Sequence, residues 1–208
     1  MDKDLFLKIA DECAEHRSEI HEVRFGNIAE STMGGEKNWW YIEEWVKRQN
    51  MVWFYSNMTY MDEKFQERLD SIGWNGRVIG HIEEGMGIDL ERSRRNYDLA
   101  MQRWGSDRVR MVQPMTTVNG LRRWANDPEI ESRRATKCTA NRPFDTMIIG
   151  FDGRIQICCL DVKQEVVCGD LRTQSISEAW NGDGFRLARE RLSRGQISLC
   201  NHCDWGEP

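Results

Sequence analysis

The sequence predicts an α/β fold: a parallel sheet with helical crossovers, followed by a small cysteine-rich unit of hairpin, helix and tail. Two observations point there. Apolar periodicity alternates between helical and strand spacing along the first half of the chain, in units of the size that parallel strands and crossovers need. Six of the seven cysteines, Cys138, Cys158, Cys159, Cys168, Cys200 and Cys203, fall in the last third, while Cys13 stands apart.

The elements follow in order. Leu5, Phe6, Ile9, Ala10 and Cys13 recur at helical spacing over 3–17, which predicts an amphipathic helix. A short strand over 22–27 ends in a glycine loop. Residues 37–50 read as a helix with Trp40, Ile42, Trp45 and Val46 inward, and 51–57 as a buried strand. A helix over 62–73 stops near Gly73. Strands are predicted over 77–83 and 108–116, with a helix over 90–105 between them. Ligands of such sheets and barrels sit at the carboxyl ends of the strands, here "GNIAES", "SNMTY", "HIEEG" and "QPMTT". Residues 120–137 read as a connector with some helix. "FDTMIIGFDGRIQICCLD" reads as a hairpin around Asp152–Gly153. Ser175 is the expected cap of a following helix.

Composition excludes several classes. The 208 residues are 39% hydrophobic and 30% charged, with a formal net charge of −5. Mixed charge argues against a nucleic-acid-binding body, and the run Arg92 to Arg95 reads as a solvated helix face. No apolar run reaches the length of a membrane span, and the acidic amphipathic N-terminus has no signal-peptide pattern. A cytoplasmic location is therefore expected, where thiols stay reduced and seven cysteines point to metal or catalysis rather than disulfides.

Cys200 and Cys203 form a C-x-x-C, a spacing from which two thiolates reach one metal. The Asp152–Gly153 turn folds Cys158 back toward Cys138, and the terminal pair would close a four-thiolate site. Such a donor set suits zinc or an iron–sulfur cluster. Strand alternation predicts that Cys158 and Cys159 face opposite ways, with Cys158 the ligand. Cys168 is expected to pack or flank the site, and Cys13 to behave as a small buried hydrophobe. His202 is expected to hydrogen-bond or face solvent rather than ligate, and His81 to be structural, with substrate contact the second role. Glu83 and Glu84 are expected to be solvated rather than to act in acid–base work.

Cys138, then "DGRIQICC", then "GDLRTQSISEAWNGDGF", then "LCNHC" resembles the C-terminal SPASM/Twitch extension of radical SAM enzymes. The resemblance spans about 70 residues, in both order and spacing. With one cysteine set, it looks like the single-cluster Twitch form. The resemblance implies a partial parallel (β/α) barrel over 1–119, a connector over 120–137 and a Twitch-like iron–sulfur unit over 138–208. It implies a 4Fe-4S auxiliary cluster on Cys138, Cys158, Cys200 and Cys203. "VRFGNIAES" is similar to the family motif that meets the amine of S-adenosylmethionine, which places Gly26, Asn27 and Glu30 at that cofactor; Ala29 and Ser31 depart from the usual glycine and proline. Ser56 and Asn57 stand at the family's "TNG" tripeptide.

The family's C-x-x-x-C-x-x-C does not occur in these residues. The expectation is a fragment or a degenerate form of a radical SAM oxidoreductase or maturase. Such a chain would be inactive alone and would be served by a ferredoxin or flavodoxin. The competing expectation is a non-catalytic zinc or iron–sulfur module, or a partner subunit. The substrate class, peptide, sugar or small metabolite, is not encoded in any single residue.

Overall fold

The computed structural model describes residues 1–25, 32–33, 36–48, 51–82, 88–112 and 134–208. The chain divides into two compact units, one of Phe6–Pro114 and one of Met1–Leu5 with Met115–Pro208.

The first unit carries a four-stranded parallel sheet. Its strands are β1 (Val23–Phe25), β2 (Val52–Ser56), β3 (Arg77–Gly80) and β4 (Val109–Met111), in spatial order 1-2-3-4. The helices are α1 (Lys3–Glu15), α2 (Glu36–Arg48), α3 (Glu63–Ser71) and α4 (Leu90–Trp104). Each predicted helix and strand up to residue 112 is present, shorter by a few residues at its ends. The remainder of the predicted fourth strand and most of the connector lie outside the described residues, as do the carboxyl-end loops 26–31 and 83–87.

One sheet face is the core. Val52, Phe54, Val78 and Val109 are at most 1% exposed. Phe25 meets Trp45 of α2 edge-on at 5.5 Å, Phe54 meets Phe65 of α3 at 6.3 Å, and Phe54 meets Trp74 at 5.6 Å. Tilted and edge-on rings are the favoured arrangement of aromatic quadrupoles. In α2 the buried positions are Trp39, Ile42 and Trp45, while Trp40 and Val46 are half-buried. The helix is thus rotated from the predicted inward set. Trp39 takes the core position because its indole N–H donates to Glu43 at 2.6 Å and its ring is met edge-on by Phe65.

The second unit begins with β5 (Lys137–Cys138) and α5 (Arg142–Asp145), followed by β6 (Ile148–Ile149), β7 (Arg154–Gln156) and β8 (Val167–Asp170). The β6–β7 hairpin turns through Gly153, whose φ of +85° favours glycine. Strand β8 pairs antiparallel with β7. Helix α6 (Ile176–Asn181) starts on a full capping box. The Glu178 N–H donates to Ser175 Oγ at 3.1 Å, and the Ser175 N–H donates to Glu178 Oε2 at 2.8 Å. Helix α7 (Asp183–Ser193), α8 (Ser198–Asn201) and β9 (Gly206–Glu207) complete the unit. Ile155, Leu171, Ala179, Phe185 and Leu192 form its core. No helix among the described residues is long and apolar enough to cross a membrane.

Candidate metal centre

Three separated segments deliver thiols to one pocket. Cys138, Cys158, Cys159, Cys200 and Cys203 line it, walled by Ile157, Leu199 and Pro143. Cys138 arrives through the antiparallel pairing of β5 with β9, in which Cys138 faces Gly206. The flanking bonds Thr136 N–H to Glu207 O (2.7 Å) and Thr139 N–H to Trp205 O (2.8 Å) extend that ladder. Gly206 has to be glycine: a Cβ there would lie 2.2 Å from the Cys200 carbonyl oxygen.

Cys200 and Cys203 sit on α8 and the turn after it. Asn201, between them and buried, accepts the Ala135 N–H at 2.8 Å. That bond ties the C-x-x-C to the strand that carries Cys138. His202 follows, half-buried, with Nδ1 shielded and without a hydrogen-bond partner among the described residues.

Cys158 and Cys159 lie past the end of β7. The strand stops at Gln156, so the period-two rule does not reach them, and both residues line the pocket. The turn is set by Asp161, which is fully buried. Its Oδ1 accepts the Glu165 N–H and its Oδ2 the Val166 N–H, each at 2.8 Å, while its own N–H donates to the Cys158 carbonyl at 3.1 Å. The Leu160 N–H donates to Cys158 Sγ at 3.3 Å, a bond that strengthens when the sulfur is a thiolate. Cys168 is buried on β8 and takes no part in the pocket.

Electrostatics separates the five thiols. Burial is the main cause that pushes the Cys158 and Cys200 thiols up to about 12 and raises Cys203. Cys200 also feels Cys158, Cys203 and Cys138, and Cys203 feels Cys138. Cys138, Cys158, Cys200 and Cys203 all line the pocket. Among the described residues, no three Cys, His, Asp or Glu side chains close to the spacing of a single ion. What marks the pocket is its all-thiol donor set in an apolar enclosure.

Thiols bind metal as thiolates, so a metal group must displace their protons. With their folded-state pKa values raised, the Cys158, Cys200 and Cys203 thiols are neutral at pH 7, and loading releases their protons. Loading is expected to strengthen as pH rises from 6 to 8.5 and to weaken as it falls. Proton release during loading in weak buffer checks this, and a pH-independent yield without release would contradict it.

Residues 138–204 match the family model of SPASM, an iron–sulfur cluster-binding domain. This stretch is a SPASM domain. Its boundaries enclose Cys138, Cys158, Cys200 and Cys203. Two solved structures match the fold over 98% of this chain and 80% of their own. BtrN in complex with AdoMet and 2-DOIA superposes with a TM-score of 0.75 at 20% identity. Selenomethionine BtrN in an open conformation gives 0.67 at 18%. The chain shares the fold of BtrN. No curated protein matches the sequence.

The residues expected at S-adenosylmethionine are placed in part. Gly26, Asn27 and Glu30 lie outside the described residues. Ser56 and Asn57 end β2, at the carboxyl edge of the sheet. Ser56 Oγ accepts the Met58 N–H at 2.9 Å, Asn57 Oδ1 accepts the Thr59 N–H at 3.0 Å, and the Ser56 carbonyl accepts the His81 N–H at 2.8 Å. Buried Asn96 of α4 holds this loop from below, donating to the Met58 and Thr59 carbonyls at 2.8 and 3.2 Å. Asn96, Asp161, Asn201 and Gly206 were not found from sequence. Asp161 was within reach, since an Asp in a turn is a standard backbone cap, but its burial was not.

Proposed function

We propose that this is a radical SAM-type protein whose SPASM domain holds one auxiliary [4Fe-4S] cluster, in the single-cluster Twitch form, on Cys138, Cys158, Cys200 and Cys203. The observation that carries this reading is the convergence of those four thiols from three segments in one apolar pocket. When bound, such a cluster relays one electron or positions a substrate. The chain's own residues fix its surroundings. The Leu160 N–H meets the Cys158 sulfur, Asp161 and Asn201 hold the ligating turns, and Ile157 and Leu199 exclude water.

The first unit is read as the wall of a partial (β/α) barrel. Its sequential strand order, without the reversal of a doubly wound sheet, supports this. Ser56 and Asn57 after β2, with Gly26, Asn27 and Glu30 after β1, would meet S-adenosylmethionine there, in keeping with the AdoMet complex of BtrN. The parent activity is a radical SAM oxidoreductase or maturase, supplied with electrons by a ferredoxin or flavodoxin in the reducing cytoplasm. No C-x-x-x-C-x-x-C occurs within the 208 residues. These residues by themselves therefore build only the auxiliary cluster, as a fragment or degenerate form of such an enzyme would.

Anaerobic reconstitution tests the proposal. About four iron and four sulfide per chain are expected, with no 5′-deoxyadenosine from AdoMet and reductant. One zinc without sulfide would overturn the cluster assignment, and 5′-deoxyadenosine formation would overturn the inactivity.

A further inference from the structure

Besides its cysteines, the thiol pocket is lined by two basic residues, Lys137 and Arg142. Lys137 is exposed, whereas Arg142, at the start of α5, is half-buried. The Arg142 Nε is shielded from solvent and has no hydrogen-bond partner among the described residues. Asp145, on the same short helix, does not serve it: its carboxylate accepts from Thr146 Oγ1 at 2.7 Å and from Asn141 Nδ2 at 3.5 Å. A buried N–H without an acceptor carries the full cost of its lost hydration, so native structures supply a partner.

The backbone keeps Arg142 at the pocket. The Asn141 N–H donates to the Cys138 carbonyl at 3.0 Å, which closes a tight turn between the thiol and the arginine. Asn141 takes a φ of +53° there, a left-handed conformation in which Asn is enriched. Pro143 follows, buried, and its carbonyl accepts Arg189 Nε at 2.8 Å. Arg189 is itself fixed on α7, its guanidinium 4.6 Å from the Trp180 ring centroid and 5.0 Å from that of Phe185. A segment held from both sides does not relieve an orphan donor by swinging out to water.

We infer that Arg142 tunes the auxiliary cluster: its Nε–H donates to a sulfur of the cluster or of a ligating cysteine, and its fixed charge favours the reduced state. Thiolates and sulfides leave such a cluster anionic, and reduction adds one more negative charge inside an enclosure of Ile157, Leu199 and Pro143. A cation and an N–H donor at the sulfurs stabilise the more negative state and raise the reduction potential. The Leu160 N–H already gives Cys158 Sγ a neutral donor. Arg142 adds a charged one, the stronger kind. Tuning of this sort rests on the iron–sulfur reading, since zinc accepts no electron.

Redox titration of the full chain with its cluster reconstituted tests this, followed by visible absorption and by the paramagnetic resonance of the reduced state. Arg142→Gln removes the charge and should lower the reduction equilibrium constant about tenfold, a shift of about 59 mV to more negative potential. Arg142→Lys keeps the charge, loses Nε, and should shift the potential the same way by less. Arg191→Gln, exposed on α7 and outside the pocket, removes an equal charge and should keep the wild-type potential. A wild-type potential in Arg142→Gln or in Arg142→Lys, or an equal shift in Arg191→Gln, would overturn the inference. Iron and sulfide are counted first in every preparation. If Arg142→Gln does not load, Arg142→Lys carries the test. Zinc without sulfide in the wild-type chain would overturn the cluster reading and the tuning together, whereas a loaded cluster with an unmoved potential overturns the tuning alone.

Discussion

Cys158→Ala should lose its iron and sulfide, falling below about a tenth of the wild-type content, while Cys159→Ala should keep both. A cluster ligand is a covalent partner, and a four-thiolate set has no spare. Both residues line the pocket, so their place in it alone does not choose between them. The choice follows from the surroundings. Cys158 is coupled to Cys200 and Cys203, and its sulfur accepts the Leu160 N–H. Iron and sulfide analysis with the visible charge-transfer absorption reads the outcome, and the reverse result would make Cys159 the ligand.

Phe54→Ala should destabilise the first unit by about 3–5 kcal/mol, the range for removing a large buried aromatic. Phe54 is fully buried at the centre of the sheet. Its ring stacks on Phe25 at 6.0 Å and is crossed by Phe65 and Trp74 at 6.3 and 5.6 Å. Few neighbours of such a ring can move in, because each is pinned by its own strand or helix. Hydrogen exchange of the β2 and β3 amides under native conditions measures the loss. Leu187→Ala, at a position 48% exposed on α7, should stay within about 0.5 kcal/mol. A similar small effect at Phe54 would mean that the sheet core is not where the structure places it.

Periodicity was enough to read the helices and strands, because the polar and apolar pattern of each element is carried within a dozen residues. It was less exact about orientation. In α2, neighbouring tryptophans compete for the inward position, and a contact with Phe65 on another helix selects Trp39 over Trp40. The same limit applies at Cys158 and Cys159. Alternation is a property of strand backbone, and β7 ends before the pair, where buried Asp161 turns the chain.

By itself the sequence determined that this chain alternates helices and strands in its first half, carries a thiol-rich tail in its last third, and has a cysteine set that suits zinc or an iron–sulfur cluster. Those features are local, or depend only on order along the chain. The tertiary structure alone decided which thiols meet and which arginines share a face. Cys138 reaches Cys203 through the β5–β9 pairing, and Arg24, Arg77 and Arg110 are gathered by the register of three separate strand pairs. Both depend on backbone hydrogen bonds between residues far apart in sequence, whose pairing follows from which hydrophobic faces are buried together.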